Sequence, residues 1–128
     1  MSLSTRWRDD LHMARTVLIV DDHAGFRATA RRMLECEGFD VVGEAATGGE
    51  ALTVSKLLAP ELILLDVQLP DMDGVGIASQ LANAANGPAV LLISRRPRDD
   101  LGPLGDSGAL GFIPKDELTA AAIRELLS

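Results

Sequence analysis

The sequence has little cysteine, little positive charge and no long apolar run. Its single cysteine, Cys36, excludes an internal disulfide framework. The net charge of −7 argues against this chain binding a nucleic-acid backbone, and it says nothing about any domain beyond residue 128. No apolar run is long enough to cross a bilayer, and no basic start leads into an apolar stretch with a cleavage site. We therefore expect a cytoplasmic protein without a membrane partner.

The remaining composition is that of an ordinary globular domain. The chain has 128 residues, of which 47% are hydrophobic and 24% charged, and this length corresponds to one domain. The first dozen residues lack periodicity, and Met13 would be a natural start of its own. We expect residues 1–15 to be a leader that is disordered or partly added for expression, followed by one domain over residues 16–128.

Short apolar runs alternate along the chain with segments of helical periodicity. The apolar runs, read as strands, are Val17–Val20, Val41–Val42, Leu62–Leu65, Val90–Ile93 and Gly111–Ile113. Runs that are apolar on both faces and alternate with helices indicate a parallel sheet covered on both sides. The prediction is an α/β fold with a flavodoxin-like, doubly wound, five-stranded parallel sheet in the order 2-1-3-4-5.

Helix signals separate these runs. Phe26, Ala30, Met33 and Leu34 form one face of a first helix over 24–37, and Gly38 supplies the stop. The second helix opens with a capping-box pattern at Thr47 and Glu50, and its apolar side is predicted to include Ala51, Leu52, Val54, Leu57 and Leu58. The third runs from about residue 75 to 83, and the last carries Leu118, Ala122, Ile123 and Leu126. Five helices are expected, the fourth short or irregular because Pro97, Gly102 and Pro103 fall in it.

Polar side chains follow four of the predicted strands. Asp21 and Asp22 follow the first strand and Asp66 the third, and these strands are neighbours at the switch point where such sheets bind ligands. Three carboxylates in one crevice repel each other, so either one stays protonated or a cation sits among them, and oxygen ligands of this kind suit Mg²⁺. Ser94 and Lys115 follow the fourth and fifth strands and can hold phosphoryl oxygens. Asp66 would then be a nucleophile that forms an aspartyl-phosphate.

Four sequence blocks in this order resemble the signature of response-regulator receiver domains: LIVDDH, LLDVQLPDMDG, LLIS and GFIPK. The resemblance extends from about Thr16 to Leu127. It implies that Asp66 accepts a phosphoryl group from a phosphohistidine of a sensor histidine kinase. It also implies an Mg²⁺ ion held by Asp22, Asp66 and the backbone carbonyl of Gln68, with Asp21 acting through a water.

The resemblance extends to the residues that read out the phosphoryl group and to the partners. It implies that Ser94 and Lys115 contact the phosphoryl oxygens and that Phe112 turns inward on activation. The segment VVGEAATGGEAL looks most like receivers that precede a helix-turn-helix DNA-binding domain, which would make the output transcription control. Such a domain is not an enzyme beyond its own phosphorylation and dephosphorylation, and a weak phosphorylation-dependent homodimer is expected.

The chain departs from the family pattern around the phosphoryl site. Arg95, followed by Arg96, stands where the family has a small residue, so we expect both to modulate access of phosphodonors. Asp116 follows Lys115 where the family usually has a proline in a cis peptide.

Four alternatives stay open at this point. The first is that the chain is a pseudo-receiver, which acts as a phosphorylation-independent interaction module. The second is that it is a phosphatase, although Gln68 stands where that class has its second acid. The third is that Asp21 and Asp22 merely cap the first helix. Finally, Arg27, Arg31 and Arg32 form either a solvated face or part of a kinase-docking surface.

Overall fold

Five parallel strands form the centre of the molecule. The structure, a computed structural model, describes residues 15–83, 87–96 and 107–127. The strands are β1 (Thr16–Val20), β2 (Asp40–Ala45), β3 (Leu62–Asp66), β4 (Ala89–Ser94) and β5 (Gly111–Pro114). They pair in the order β2-β1-β3-β4-β5, and every pair is parallel. The predicted doubly wound sheet is confirmed.

Four α-helices belong to the described part of the chain. They are α1 (Ala24–Cys36), α2 (Gly48–Leu58), α3 (Gly74–Ala82) and α4 (Ala120–Leu127), and a 3₁₀ turn over Lys115–Glu117 precedes α4. The predicted short fourth helix falls on 97–106, which lies outside the described residues, as does the leader up to residue 14. None of the described helices is long and apolar enough to cross a bilayer.

The sheet is covered on both faces because the side chains of each strand alternate between two apolar clusters. Val17 and Ile19 belong to one cluster, and Leu18 and Val20 to the other. The first cluster contains Leu34 of α1 and Ile123 of α4, and the second contains Ala51 of α2 with Ile77 and Leu81 of α3. All five β3 residues, from Leu62 to Asp66, are buried, as expected for an inner strand of a parallel sheet. An acid at the end of such a strand therefore lies at the edge of the core.

Two helix boundaries follow the sequence signals. Gly38 has φ of 93°, a left-handed conformation in which glycine lacks the steric penalty of other residues, and it follows the end of α1. At the start of α2, Thr47 Oγ1 accepts a hydrogen bond from the Glu50 amide at 3.1 Å. The Glu50 carboxylate returns to the amide of Ala46, at 2.6 Å, one residue earlier than a capping box requires.

The predicted apolar side of α2 is wrong at its C-terminal end. Leu57 is 77% exposed and Leu58 42% exposed. The face of α2 turned to the sheet contains Ala51 and Ser55, four residues apart and both buried. Leu57 lies two residues past Ser55, which rotates its side chain by roughly 200° away from that face.

Candidate functional site

The acids at the carboxyl ends of β1 and β3 lie together at one edge of the sheet. Val20 is paired with Leu65, so the next residues, Asp21 and Asp66, lie side by side. Asp21 is fully buried and Asp66 is 3% exposed, whereas Asp22 is exposed. Ligand atoms of these three acids and of His23 lie within 4.8 Å of one another. The structure thus brings the three acids into one crevice.

Ser94, the last residue of β4, and Lys115, which follows β5, lie at the same edge of the sheet. Lys115 comes directly after β5, and its Nζ lies 2.5 Å from Asp21 Oδ2 and 3.3 Å from Asp66 Oδ2. Ser94 is fully buried, and its Oγ accepts a hydrogen bond from the Arg96 amide at 3.0 Å. The hydroxyl is therefore held in a local turn, one residue beyond Ile93, the β4 residue paired with Asp66.

The surroundings of Asp66 disfavour the ionised form of its carboxyl group. Burial raises its pKa above the ordinary aspartate value, and the nearby charge of Asp21 raises it further. The Gln68 amide, which donates to Asp66 Oδ1 at 3.0 Å, and the Lys115 ammonium act in the opposite direction without cancelling the effect of burial. A further cation beside Asp66 would therefore favour its ionised, nucleophilic form.

The oxygen atoms of the crevice fit a magnesium ion. Asp21 Oδ2 is buried and, although close to Lys115 Nζ, has no hydrogen bond of acceptable geometry among the described residues. Three carboxylates are offset by one ammonium, so the site retains negative charge. Carboxylate and carbonyl oxygens are the ligands that Mg²⁺ prefers, and Asp22 offers an exposed carboxylate at the open side. The crevice thus has a set of oxygen donors that could hold a metal ion, of the kind that Mg²⁺ takes.

Helix capping does not explain the paired acids. The N-cap residue of α1 is His23, and its side chain makes no capping hydrogen bond. Instead, Asp21 Oδ1 accepts from the His23 amide at 2.8 Å, and His23 Nδ1 lies 3.2 Å from Asp21 Oδ1 and 3.0 Å from Asp22 Oδ1. The His23 side chain is 47% exposed, and its ring lies against both acids.

A tight turn holds the end of β3 in place. The Gly74 amide donates to the Val67 carbonyl at 2.9 Å, and a Cβ on Gly74 would lie 2.7 Å from Val67 Cα and closer still to the Asp66 carbonyl oxygen. Only glycine fits this approach of α3 to the strand end. Asp71 of the same loop accepts hydrogen bonds from the amides of Gly48 and Gly49, at 2.8 and 3.0 Å, which lowers its pKa and ties the loop to α2.

Two residues of α1 contact the site in ways that helical periodicity did not reveal. The Phe26 ring centroid lies 4.5 Å from Lys115 Nζ, within the range of a cation–π interaction. Arg27 Nη1 donates to the backbone carbonyl of Asp21 at 2.5 Å. Arg27 and Arg31 also pair with Glu44 of β2, so neither lies on a merely solvated face, whereas Arg32 is exposed. Periodicity assigns residues to a helix face but does not identify a partner on a distant strand.

The remaining predicted residues lie around the crevice. Arg95 and Arg96 follow Ser94 and are both exposed. Phe112 is half-buried on β5 and packs against the cluster that contains Val90 and Leu92. The Gln68 amide faces Asp66, and Gln68 itself is exposed in the loop after β3.

Comparison with known proteins identifies the family of this chain. The family model described as "Response regulator receiver domain" matches residues 17–127. The chain is 35% identical over 127 residues to the "Transcriptional regulatory protein PdtaR" of Mycobacterium tuberculosis, with 91% of this chain and 62% of that protein covered. The chain thus spans less than two thirds of the length of this relative.

The solved structures that resemble this chain include receiver domains. The signal receiver domain of the putative response regulator NarL from Mycobacterium tuberculosis is 32% identical with a TM-score of 0.76, covering 89% of this chain and 97% of that one. A chain of the CheX–CheY–BeF3–Mg²⁺ complex from Borrelia burgdorferi is 27% identical with a TM-score of 0.78, covering 93% and 90%. With the family model matching most of its length, this chain belongs to the response-regulator receiver domain family.

Proposed function

We propose that this domain is a phosphoacceptor, in which Asp66 takes a phosphoryl group from a histidine of a sensor kinase. The observation that carries the proposal is the placement of Asp66. Its carboxylate lies at the tip of a buried strand, 3.3 Å from Lys115 Nζ and beside two further acids. This constellation offers a nucleophile, a fixed cation and oxygen ligands at one edge of the sheet.

The chemistry is a transfer between two nucleophiles. One carboxylate oxygen of Asp66 attacks phosphorus, and an O–P bond forms while the N–P bond of the phosphohistidine breaks. The electron pair leaves with the imidazole nitrogen, which takes up a proton. In this scheme Lys115 and the hydroxyl of Ser94 hold the phosphoryl oxygens, and the Gln68 amide orients the carboxylate.

The proposed ligands of Mg²⁺ are Asp22, Asp66 and the backbone carbonyl of Gln68, with Asp21 acting through a water. The ion would neutralise the charge on the phosphoryl oxygens and lower the cost of ionising Asp66. Asp21 Oδ2 is buried beside Lys115 Nζ and makes no hydrogen bond of acceptable geometry among the described residues, so it could accept one from the proposed water.

The output that we propose is transcription control. PdtaR is named a transcriptional regulatory protein, and this chain spans 62% of its length. A DNA-binding output domain that follows this domain would bind nucleic acid, whereas this domain, with its net charge of −7, would not. We place the domain in the cytoplasm. In this proposal Phe112 transmits the rearrangement of Ser94 on phosphorylation to the face of β5. It would catalyse only its own phosphorylation and dephosphorylation.

Intact-mass spectrometry tests the phosphoacceptor. The wild type, incubated with Mg²⁺ and either acetyl phosphate or phosphoramidate, should gain one phosphoryl group. Asp66→Asn should not, while Asp40→Asn, which changes an exposed acid at the opposite end of the sheet, should gain the group normally. An adduct that persists in Asp66→Asn would disprove the assignment. No adduct with either donor, in both the wild type and Arg95→Ala, would favour the phosphorylation-independent module.

A further inference from the structure

We propose that Arg27 is a positioning residue for the metal-binding acids, a role that rests on the phosphoacceptor function proposed above. Its Nη1 donates to the backbone carbonyl of Asp21 at 2.5 Å, and its Nε donates to Glu44 Oε1 at 3.0 Å. One guanidinium therefore joins α1, β2 and the loop after β1. The planar guanidinium presents several donors in a fixed geometry, which suits this two-sided contact.

The Asp21 carbonyl affects the orientation of Asp22 because it belongs to the peptide unit that joins the two residues. Peptide units are planar, so fixing the carbonyl also fixes the direction in which Asp22 leaves the strand. The other side of Asp21 is already held, since its amide donates to the Ala45 carbonyl at 3.0 Å. The Asp22 side chain is exposed, and Nδ1 of the exposed His23 ring lies 3.0 Å from its Oδ1. That contact acts on the side chain, whereas the Arg27 contact holds the backbone from which the side chain of this proposed metal ligand leaves.

Arg27 is itself held firmly. Its side chain is only 18% exposed, and the Glu44 carboxylate that binds it also accepts from Arg31 Nε at 2.8 Å. Burial raises the pKa of Glu44, but the two arginines together outweigh this effect and lower the pKa below the ordinary value. Glu44 therefore stays ionised and keeps the guanidinium directed at the Asp21 carbonyl.

Charge and positioning predict opposite effects for the loss of Arg27. If Arg27 acted only by its charge, its removal would tighten the binding of a dication, because the repulsion between two cations would disappear. If Arg27 acts by orienting the Asp21–Asp22 peptide, its removal should weaken binding. The sign of the change in Mg²⁺ affinity therefore separates the two roles.

The test compares Arg27→Gln with Arg31→Gln by isothermal titration with Mg²⁺, without any phosphodonor. Both substitutions remove one arginine from Glu44, but only Arg27 reaches the Asp21 carbonyl. Loss of a residue that orients metal ligands typically costs about tenfold or more in affinity, so we expect a change of that size in Arg27→Gln and little change in Arg31→Gln. Arg27→Lys, which keeps the charge but not the planar fork, should lie between the wild type and Arg27→Gln. Thermal unfolding of each variant checks that it is folded.

Unchanged or tighter Mg²⁺ binding by folded Arg27→Gln would overturn the proposal, as would wild-type protein that binds no Mg²⁺. If Arg27→Gln does not fold, Glu44→Gln provides the second measurement. It leaves Arg27 in place but weakens its orientation, so Mg²⁺ binding should weaken, and unchanged binding would again overturn the proposal. A wild type that binds Mg²⁺ but forms no phosphoryl adduct would disprove the proposed function and leave the role of Arg27 supported or overturned by these titrations alone.

Discussion

Asp66 meets two opposing requirements. As a nucleophile it must be ionised, but burial at the end of β3 raises its pKa and favours the neutral form. Lys115 and the Gln68 amide offset this cost in part, and the charge of Asp21 adds to it. The ionised Asp66 carboxylate therefore lowers the stability of the folded domain when no cation is bound beside it.

We expect Asp66→Asn to be more stable than the wild type at neutral pH when Mg²⁺ is chelated. The pKa of Asp66 is higher in the folded protein than in the unfolded chain, so the folded state binds the proton more tightly. Wild-type stability should then fall as pH rises from the unfolded value, about 3.9, through the raised folded pKa. Thermal unfolding between pH 4 and pH 8 should show a difference between the two proteins that grows with pH. A constant difference, or a less stable variant at pH 8, would contradict the burial argument, and Asp40→Asn serves as the exposed control.

Arg95 should restrict the access of small phosphodonors and of water to the phosphoryl site. It is exposed and directly follows Ser94, where its bulk would hinder both a small phosphodonor and the water that attacks an aspartyl-phosphate. Arg95→Ala should speed adduct formation with acetyl phosphate and also its loss, each by up to about tenfold, which corresponds to about 1.4 kcal/mol of barrier. Arg32→Ala removes an equal charge from an exposed position on α1 and should change neither rate. If Arg95 instead attracts anionic donors by its charge, adduct formation would slow in the variant.

At the scale of elements, β1, β3 and β4 were predictable because their apolar runs end abruptly at polar residues. The run Leu62–Leu65 and the strand Leu62–Asp66 differ by the acid alone. The second strand, Asp40–Ala45, extends well beyond the predicted run Val41–Val42. A further failure belongs to a helix face. Leu57 is predicted on the buried side of α2, but the buried residues of that helix include the small Ala51 and Ser55, and Leu57 is exposed. Sequence periodicity alone does not show which of several apolar residues the sheet covers.

Two glycines of α3 should respond in opposite ways to alanine. A Cβ on Gly74 would collide with the backbone of Asp66 and Val67, whereas a Cβ on Gly76 has no neighbour within 4 Å. Gly74→Ala should cost about 1–3 kcal/mol, the usual range for forced overpacking, and should displace the end of β3. Gly76→Ala should gain about 0.5–1 kcal/mol, since alanine loses less conformational entropy than glycine in a helix. Urea unfolding of both variants measures these values, and equal effects would show that the close approach is not rigid.

At the scale of the whole molecule, the meeting of the acids was predictable but the contacts that support them were not. Parallel strands end at one edge, so the sequence placed Asp21, Asp22 and Asp66 together once strands 1 and 3 were taken as neighbours. The pairing of Arg27 with Glu44 joins a helix to a strand 17 residues further along the chain. No local pattern marks such a contact, because a charged helix residue looks the same whether it faces solvent or a distant carboxylate.

The surface of the described residues favours a monomer. A stable protein interface covers about 800 Å² on each partner, with an apolar centre. The exposed large apolar residues do not form such a centre. Leu57 and Leu58 end α2 beside β2, Met72 lies beside Gly48 at the other end of that helix, and Leu110 precedes β5 at the opposite edge of the sheet. The net charge of −7 adds repulsion between two copies.

Any dimer that forms on phosphorylation should therefore be weak in this domain alone. Sedimentation velocity with Mg²⁺ and beryllofluoride, the phosphoryl mimic, should give a monomer at micromolar concentration and some dimer only at much higher concentration. Added salt should increase the dimer fraction, because screening weakens the repulsion between two acidic copies. Asp66→Asn, which lacks the proposed acceptor carboxylate, should show no response to beryllofluoride and so serves as the control. A tight, salt-insensitive dimer in the wild type would mean that activation exposes an apolar surface large enough to outweigh the charge.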